Sequence, residues 1–381
     1  MENQQRNFGT WQLTSIMISS MIGVGLLTIP RTSTVLLHQM GWIGPISGCL
    51  IASVAVAAIV YLGNQFPGLT FVEFMPRIFG TVLGAICVFL FILYQFFNAG
   101  ITARLFGEVV VTSVLPNTPL EAIIVTLLLL VVFLCCHEIE VVARVNELLI
   151  PFLLLPSLLI PLVALMNADW YNLLPFHVES WTDVVKTGMD TYTLYTGYEL
   201  LMVYFAFSIP GARLGLASMT GMSFALVVYV LSVIAGITVF GYEELQRLVW
   251  PTLELVKVTQ RAGWFLERFE SAFLAIWVAS VFTTIGNMFY ATIFSLRRWF
   301  RKGIRFQQIS AVVMMVPLFY FTLIPQNIVE LFSYTSHLTV MGYMVTIFVP
   351  ILLAITHFVR NKIIKGQNGN NEQGRDIEPL P

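Results

Sequence analysis

Long runs of apolar residues, separated by short stretches that carry charges or turn residues, occupy most of this chain. A helix that crosses the hydrocarbon core of a bilayer, about 30 Å thick, needs about 20 such residues. Counting the runs on this basis predicts an all-α polytopic membrane protein with ten transmembrane helices. The predicted spans lie near residues 11–37, 42–63, 80–113, 120–137, 146–166, 187–210, 214–241, 271–296, 306–324 and 330–358.

The composition agrees with this pattern. Of the 381 residues, 57% are hydrophobic and 11% are charged, with a mean hydropathy of +0.82, whereas soluble domains carry about 25% charged residues. A formal net charge of -1 and the lack of a basic stripe exclude nucleic acid as a partner and leave membrane lipid as the surroundings. All four cysteines lie within apolar runs, so no disulfide framework is expected.

The basic residues predict the orientation of the chain. An even number of spans places both termini on one side, and cytoplasmic loops are enriched in Lys and Arg. With the termini inside, thirteen basic residues face the cytoplasm against five outside, and the sequence between Arg297 and Arg305 is the densest cluster. Both termini are therefore expected to be cytoplasmic. Residues 1–365 form one transmembrane domain, and the polar residues 366–381 form a disordered tail.

Glycines interrupt two spans that occupy matching positions. Gly23-Val24-Gly25 lies in the middle of the first span, and Gly188 and Thr196-Gly197-Tyr198-Glu199 lie in the sixth. Taken singly, such a glycine only permits close helix packing. Matched positions five spans apart instead indicate broken helices 1 and 6 in a five-plus-five inverted repeat, with repeat one at about 8–166 and repeat two at about 187–360.

The break in the first span predicts a binding site for an anionic group. Its freed amides need partners, and the start of the outer half-helix carries a partial positive charge. We expect the amides of Gly23, Val24 and Gly25 to face a ligand carboxylate, together with hydroxyls from Ser19, Ser20 and Thr28. For any single hydroxyl, the alternative is a bond to a carbonyl one turn earlier.

Polar faces on two other spans are candidates for the same cavity. Span three carries Gln95, Asn98 and Thr102, and span eight carries Ser280, Thr283 and Asn287, each set spaced to share one helical face. These residues either line a cavity or only form hydrogen bonds between helices, and the spacing favours neither interpretation.

Glu199 is the most informative ionisable residue, because a charge at the centre of a membrane helix costs at least about 2.5 kcal/mol. It follows the break in span six and could bind an amino group, a cation or a proton.

Arg104 and Glu108 are four residues apart, so they can form a structural ion pair. The sequence His137-Glu138-Ile139-Glu140 lacks the second histidine of a zinc-protease motif. No Walker loop or Gly-x-Ser-x-Gly motif occurs either. We therefore expect no bound metal, no cofactor and no enzymatic activity.

Two outer segments are long enough to form structures of their own. Residues 167–186 carry Trp170, Tyr171 and Trp181, which suit a membrane interface. Residues 242–270 carry mixed charges, with Pro251 at a plausible first helical turn, and are expected to form a re-entrant or surface lid.

Several motifs resemble known families. Ser19-Ser-Met-Ile-Gly-Val-Gly-Leu-Leu-Thr-Ile-Pro30, Gly41-Trp-Ile-Gly-Pro45 and Phe79-Gly80 resemble the amino acid-polyamine-organocation permease superfamily. Thr196-Gly-Tyr-Glu199, Trp250-Pro-Thr-Leu253 and Phe265-Leu-Glu-Arg-Phe-Glu-Ser271 resemble the endospore germination permeases, the B subunits of nutrient germinant receptors. The resemblance covers about residues 8–360.

This resemblance implies a multi-pass protein of the spore inner membrane that binds a small nutrient, commonly an amino acid. It also implies two partners, a receptor A subunit and a lipoprotein C subunit. Some superfamily members have a lysine in span five, but residues 146–166 contain none. Thr283 and Thr284 could accept sodium, which is weak support for ion coupling.

A receptor subunit that triggers germination, a stand-alone amino-acid transporter and a water or ion conduit all remain compatible with the sequence. The pore of a conduit would run past Glu199, whereas a receptor and a transporter both need the same central pocket. Its expected ligand-binding residues are Ser20, Gly23, Val24, Gly25, Thr28, Asn98, Thr102, Thr196, Gly197, Glu199, Thr283 and Asn287.

Overall fold

The computed structural model describes residues 8–260 and 269–373, and most of these residues are helical. In chain order the α-helices are α1 (Thr10–Met21), α2 (Ile29–Leu37), α3 (Ile43–Gln65), α4 (Phe71–Phe79), α5 (Thr81–Ser113), α6 (Leu120–Cys135), α7 (Ile139–Ala164), α8 (Trp181–Tyr192), α9 (Leu201–Tyr204), α10 (Leu214–Phe240), α11 (Tyr242–Arg247), α12 (Pro251–Gln260), α13 (Phe269–Trp299), α14 (Ile304–Leu323), α15 (Ile328–Gly342) and α16 (Val349–Gln373). Short 3-10 turns lie at Val24–Leu27, His38–Met40, Leu165–Asn167, Trp170–Leu173, Thr193–Tyr195, Tyr198–Leu200 and Phe205–Phe207, and a π-helical stretch lies at Tyr343–Phe348.

Seven helical segments of the described chain are long and apolar enough to cross a membrane. They are Ile43–Gln65, Thr81–Ser113, Ile139–Asn167, Leu214–Phe240, Ala275–Trp299, Ile304–Leu323 and Ile328–Ile363. The predicted fourth span is the shorter apolar helix α6, and the predicted first and sixth spans are each divided into shorter pieces. The all-helical, multi-pass architecture is confirmed, and the count of ten spans stays a prediction.

The helices differ in how deeply they lie in the molecule. In the most apolar part of each helix, 78% of the residues of α13 are buried, against 22% for α14. Helix α13 packs against α1, α5, α6 and α7, so it is the central helix, whereas α14 presents most of its surface to the surroundings. Polar residues on α13 therefore face protein and not lipid.

Local signals explain several helix ends. Helix α4 begins at the capping residue Thr70, whose N–H donates to Oε2 of Glu73 at 2.8 Å, and it ends at Gly80 with φ +82°. Helix α8 begins at Trp181, before the predicted start of span six, because the Ser180 hydroxyl accepts a hydrogen bond from the Thr182 amide.

The two outer segments differ in structure. Trp170, Tyr171 and Trp181 are all more than half exposed, as expected of an interfacial segment. Helix α12 begins at Pro251, which confirms the helical start predicted there. The residues that resemble the germination permeases at 265–268 lie outside the described residues.

The C-terminal helix extends beyond the predicted last span. Helix α16 continues to Gln373, and thus into the segment predicted to be a disordered tail. Residues 374–381 of that predicted tail lie outside the described residues.

Candidate ligand-binding site

The first predicted span is interrupted where the glycines indicated. Helix α1 ends at Met21, a single 3-10 turn follows at Val24–Leu27, and α2 restarts with Pro30 in its first turn. Val24 and Gly25 are the first residues of that turn, so their amides have no carbonyl partner one helical turn earlier. A Cβ atom on Gly23 would lie 2.8 Å from Oγ1 of Thr284, so the break also allows a close approach to α13.

The sixth predicted span is interrupted at Thr196 and Gly197. A 3-10 turn ends at Tyr195, and a second one begins at Tyr198. Gly197 has φ +122°, which disfavours any residue with a side chain, and a Cβ atom there would lie 2.8 Å from the backbone C and O of Ser20. The two breaks are therefore in direct contact, and Gly197 is what permits it.

A cavity of about 140 Å³ lies at this junction. Its walls come from the break after α1, from α5, from the break after α8, and from α13 and α15. The lining residues are Ser20, Met21, Gly23, Val24, Gly25, Tyr94, Asn98, Ile101, Thr102, Leu105, Tyr192, Thr193, Leu194, Thr196, Thr284, Met288, Thr335, Leu338, Thr339 and Gly342.

The lining is polar in part but carries no charge. Hydroxyl and amide side chains share the walls with aliphatic residues, and none of the lining residues is Asp, Glu, Lys, Arg or His. The volume is close to that of a cavity of roughly 150 Å³ that holds benzene, so a ligand of roughly six to ten non-hydrogen atoms fits.

The predicted site residues fall into two groups. Seven of them line the cavity: Ser20, Gly23, Val24, Gly25, Asn98, Thr102 and Thr196. Five do not: Thr28, Gly197, Glu199, Thr283 and Asn287. A role in ligand binding stays a prediction for both groups.

Glu199 lies behind the cavity wall and is fully buried. Its Oε1 accepts a hydrogen bond from Nε2 of Gln95 at 2.8 Å, and its Oε2 accepts one from the Gly197 amide at 2.7 Å. The carboxylate thus caps the start of its own half-helix and connects it to α5. The ion pairs found among the described residues do not include Glu199.

Asn287 takes part in a hydrogen-bond network and does not reach the cavity. It exchanges two amide hydrogen bonds with Asn146 of α7, at 2.8 and 2.9 Å, and donates to Oγ of Ser20 at 2.9 Å. The Ser19 hydroxyl also donates to Asn146. Sequence reasoning missed Asn146, although an isolated amide at the start of an apolar run was visible.

The hydroxyls of α13 hold the first break by direct hydrogen bonds. Ser280 donates to the Ile22 carbonyl at 2.5 Å, and Thr284 donates to the Ser19 carbonyl at 2.7 Å. Thr283 and Thr28 instead donate to carbonyls three residues earlier in their own segments. Of the two polar faces, the one on α5 contributes Asn98 and Thr102 to the cavity, whereas the one on α13 mainly connects helices.

The wall formed by α15 was not predicted. Thr335, Thr339 and Gly342 line the cavity immediately before the π-helical stretch, a type of irregularity that is frequent at functional sites. The hydroxyls of Tyr192 and Tyr198 are 2.8 Å apart, and Tyr198 donates to the Thr346 carbonyl at 3.0 Å. The break of span six is therefore connected to the last predicted span by hydrogen bonds.

Arg104 and Glu108 form the ion pair that their spacing allows. Nη2 of Arg104 is 2.6 Å from Oε1 of Glu108, and Nη1 donates to the Thr322 carbonyl at 3.2 Å. The pair connects α5 to the end of α14, which is a structural role.

Solved structures with the same fold define the class of protein. The crystal structure of MhsT in complex with L-phenylalanine matches with a TM-score of 0.67 at 12% sequence identity, covering 92% of this chain and 89% of MhsT. MHP1, a nucleobase-cation-symport-1 family transporter solved in a closed conformation with bromovinylhydantoin bound, matches with a TM-score of 0.60 at 16% identity, covering 90% of this chain and 78% of MHP1. The chain is thus a membrane protein with a transporter fold.

Sequence comparison identifies the family. The chain belongs to the spore permease family of spore germination proteins, whose profile matches residues 8–331. Spore germination protein YndE of Bacillus subtilis (strain 168) is 28% identical over 348 residues, covering 91% of this chain and 95% of YndE. Spore germination protein A2 of the same organism is 27% identical over 353 residues, covering 90% and 92%. The resemblance inferred from the motifs is confirmed.

Proposed function

We propose that this chain is the B subunit of a nutrient germinant receptor, which binds a small nutrient in the central cavity and thereby triggers spore germination. Its role is binding and signalling, not catalysis. The nutrient is an amino acid, or another small molecule with one anionic group and a short side chain.

The observation that carries this proposal is the uncharged cavity at the contact of the two helix breaks. Val24 and Gly25 line it, and their amides suit a carboxylate because they start a helical turn. Hydroxyls and amides around the rest of the wall provide further hydrogen bonds without requiring a charged side chain on the ligand. The volume favours small amino acids over large ones.

The packing supports the proposed ten-span inverted repeat. If span one corresponds to span six, two to seven, three to eight and four to nine, contacts in one half should recur in the other. Helix α1 packs on α10, and correspondingly α8 packs on α3. Helix α6 packs on α13, and correspondingly α14 packs on α5. Each of these helix contacts therefore has a counterpart between the corresponding helices of the other repeat, as an inverted repeat requires.

Family membership and the basic residues support the placement of the protein. We assign it to the spore inner membrane with both termini in the cytoplasm, in a complex with a receptor A subunit and a lipoprotein C subunit. The basic turn between α13 and α14, where Arg301 and Lys302 are exposed, then lies on the cytoplasmic side, as does the exposed Arg305 in the first turn of α14.

Binding and uptake by the purified chain in lipid vesicles test the proposal. Radiolabelled L-alanine and L-valine match the cavity in size. Saturable binding without uptake is the expected result. Saturable uptake by the chain alone would instead identify a stand-alone transporter, and non-saturating flux of water or ions would identify a conduit.

Gly25→Val tests the site itself. A Cβ atom at Gly25 would lie 3.0 Å from Cδ2 of Leu194, so the branched side chain crowds the cavity. We expect the variant to reach the membrane at a normal level but to lose nutrient response. Gly215→Val is the matched control, because the nearest atom to a Cβ there is 3.9 Å away, on Val60. A normal half-maximal nutrient concentration in Gly25→Val would contradict the site assignment.

A further inference from the structure

Tyr229 of α10 contacts both helix breaks through one hydroxyl. Its oxygen is 2.8 Å from the Met21 carbonyl and 2.8 Å from the Leu194 carbonyl. The side chain is fully buried, and its ring packs edge-on against Tyr195. Met21 and Leu194 both line the cavity, whereas Tyr229 does not, so Tyr229 acts on the cavity from behind its wall.

Both carbonyls have lost their ordinary helical partners because of the breaks. In a continuous helix the Met21 carbonyl would accept from the Gly25 amide, four residues later. The amide three residues after Leu194 belongs to Gly197, and it donates to Glu199 instead. The Met21 carbonyl keeps one donor, the Gly23 amide at 3.1 Å, and the Tyr229 hydroxyl is its second donor. Loss of a helical donor from a buried carbonyl is costly, so the Tyr229 hydroxyl compensates for the missing amides.

We propose that Tyr229 is a positioning residue that holds the two breaks in register and so sets the shape of the ligand cavity. One hydroxyl carries one proton, so it donates to the Met21 or the Leu194 carbonyl at any moment and can exchange between them. The two breaks thereby share one donor, and a change at either break alters the hydrogen bond available to the other. This inference rests on the proposed ligand site for its effect on affinity, but the coupling of the two breaks does not depend on a ligand.

Hydrogen–deuterium exchange of the ligand-free chain in lipid nanodiscs tests this coupling. In Tyr229→Phe, we expect the amides of both segments, 22–28 and 193–200, to exchange about five-fold faster, the effect of losing one hydrogen bond on local opening. Tyr195→Phe is the matched control, because that buried hydroxyl donates at 2.9 Å to the carbonyl of Pro45, outside the cavity lining. The control should change segment 193–200 alone.

Binding of L-alanine and L-valine provides the second measurement. Tyr229→Phe should raise the Kd about five-fold, and Tyr195→Phe should change it less than two-fold. Placing 4-aminophenylalanine at position 229 offers two N–H donors, one for each carbonyl, and should restore both the Kd and the exchange rates. If either phenylalanine variant is not monodisperse, the 4-aminophenylalanine protein is compared directly with the unmodified chain, and exchange no faster than in the unmodified chain is expected in both segments.

Three results would overturn the proposal. The first is unchanged exchange in either segment of Tyr229→Phe, the second is the same two-segment change in Tyr195→Phe, and the third is no restoration by 4-aminophenylalanine. If the unmodified chain binds neither amino acid, the proposed ligand class fails, while the exchange experiment still decides whether Tyr229 couples the breaks.

Discussion

Substitution of Glu199 distinguishes the contribution of its charge from that of its hydrogen bonds. Glu199→Gln keeps the size of the side chain and one carbonyl oxygen, which can still accept from the Gly197 amide. Oε1 of Gln95 is buried and has no hydrogen-bond partner among the described residues, so the Gln95 amide can turn over and accept from the new amide at position 199. The variant therefore retains both contacts as neutral hydrogen bonds.

The structure sets the size of the expected effects. Hydrogen bonds to charged groups contribute about 1.5–3 kcal/mol, against about 1 kcal/mol for neutral ones. Replacing both charged hydrogen bonds of Glu199 by neutral ones thus lowers the stability of Glu199→Gln by at most about 4 kcal/mol. Removal of a buried charge offsets part of that loss. Glu199→Ala also leaves the Gly197 amide and the Gln95 side chain without partners, at about 1–3 kcal/mol each, so it should be the less stable variant.

Two assays separate stability from function. The first assay heats the detergent-solubilised variants and measures the fraction that remains monodisperse. By this measure the unmodified chain should be the most stable, Glu199→Gln the next and Glu199→Ala the least stable. Germination assays should show Glu199→Gln at normal abundance but needing at least ten-fold more nutrient, because its neutral hydrogen bonds hold the break that carries Thr196 less tightly than those of the carboxylate. The double exchange Gln95→Glu with Glu199→Gln is the control, since it keeps one carboxylate–amide contact and moves the charge to α5.

Two outcomes would refute this reasoning. A Gln variant with unchanged nutrient sensitivity at normal abundance would make Glu199 a hydrogen-bonding core residue without a functional charge. An Ala variant as stable as the Gln variant would show that the two hydrogen bonds at this position contribute little.

The remaining predictions concern the second break, the outer helix and the ion pair. Gly197→Ala should lose stability and nutrient response, because φ is +122° and the new Cβ meets the Ser20 backbone. Gly211→Ala is the control, because at φ +93° in open space it should show only the backbone strain of about 1–3 kcal/mol and no steric contact. The Thr252 hydroxyl donates to the Leu26 carbonyl at 2.7 Å, so a short bifunctional thiol reagent should bridge cysteines placed at these two positions, and the bridge should slow ligand binding. A bridged protein that binds ligand at the unmodified rate would exclude α12 as a lid. Arg104→Met should reduce protein abundance, because leaving Glu108 unpaired lowers the stability by about 3–5 kcal/mol. A second change in the same chain, Glu108→Leu, should restore both abundance and normal nutrient sensitivity. Continued loss of sensitivity in the double variant would indicate a functional role for the pair.

The features of this protein that depend on residues close together in the sequence were predictable from the sequence. The break at Gly23 to Gly25 follows from glycines and a nearby proline, whose backbone preferences act locally. Asn98 and Thr102 share one face of α5 because helical spacing alone requires it. The start of α12 at Pro251 has the same kind of local cause. Family membership was also predictable, because its motifs are short contiguous stretches.

The tertiary structure alone decided which polar residues face the cavity. Asn98 and Asn287 each belong to a set of three polar residues with helical spacing. Asn287 forms hydrogen bonds with Asn146 of α7, whereas Nδ2 of Asn98 is buried without a hydrogen-bond partner in the described structure. Tyr229 lies well away from both breaks in the sequence and still contacts each of them. The cavity wall depends on the rotation and close approach of helices that are distant in sequence. Side-chain packing between those helices sets both quantities, and the periodicity within any one helix does not contain them.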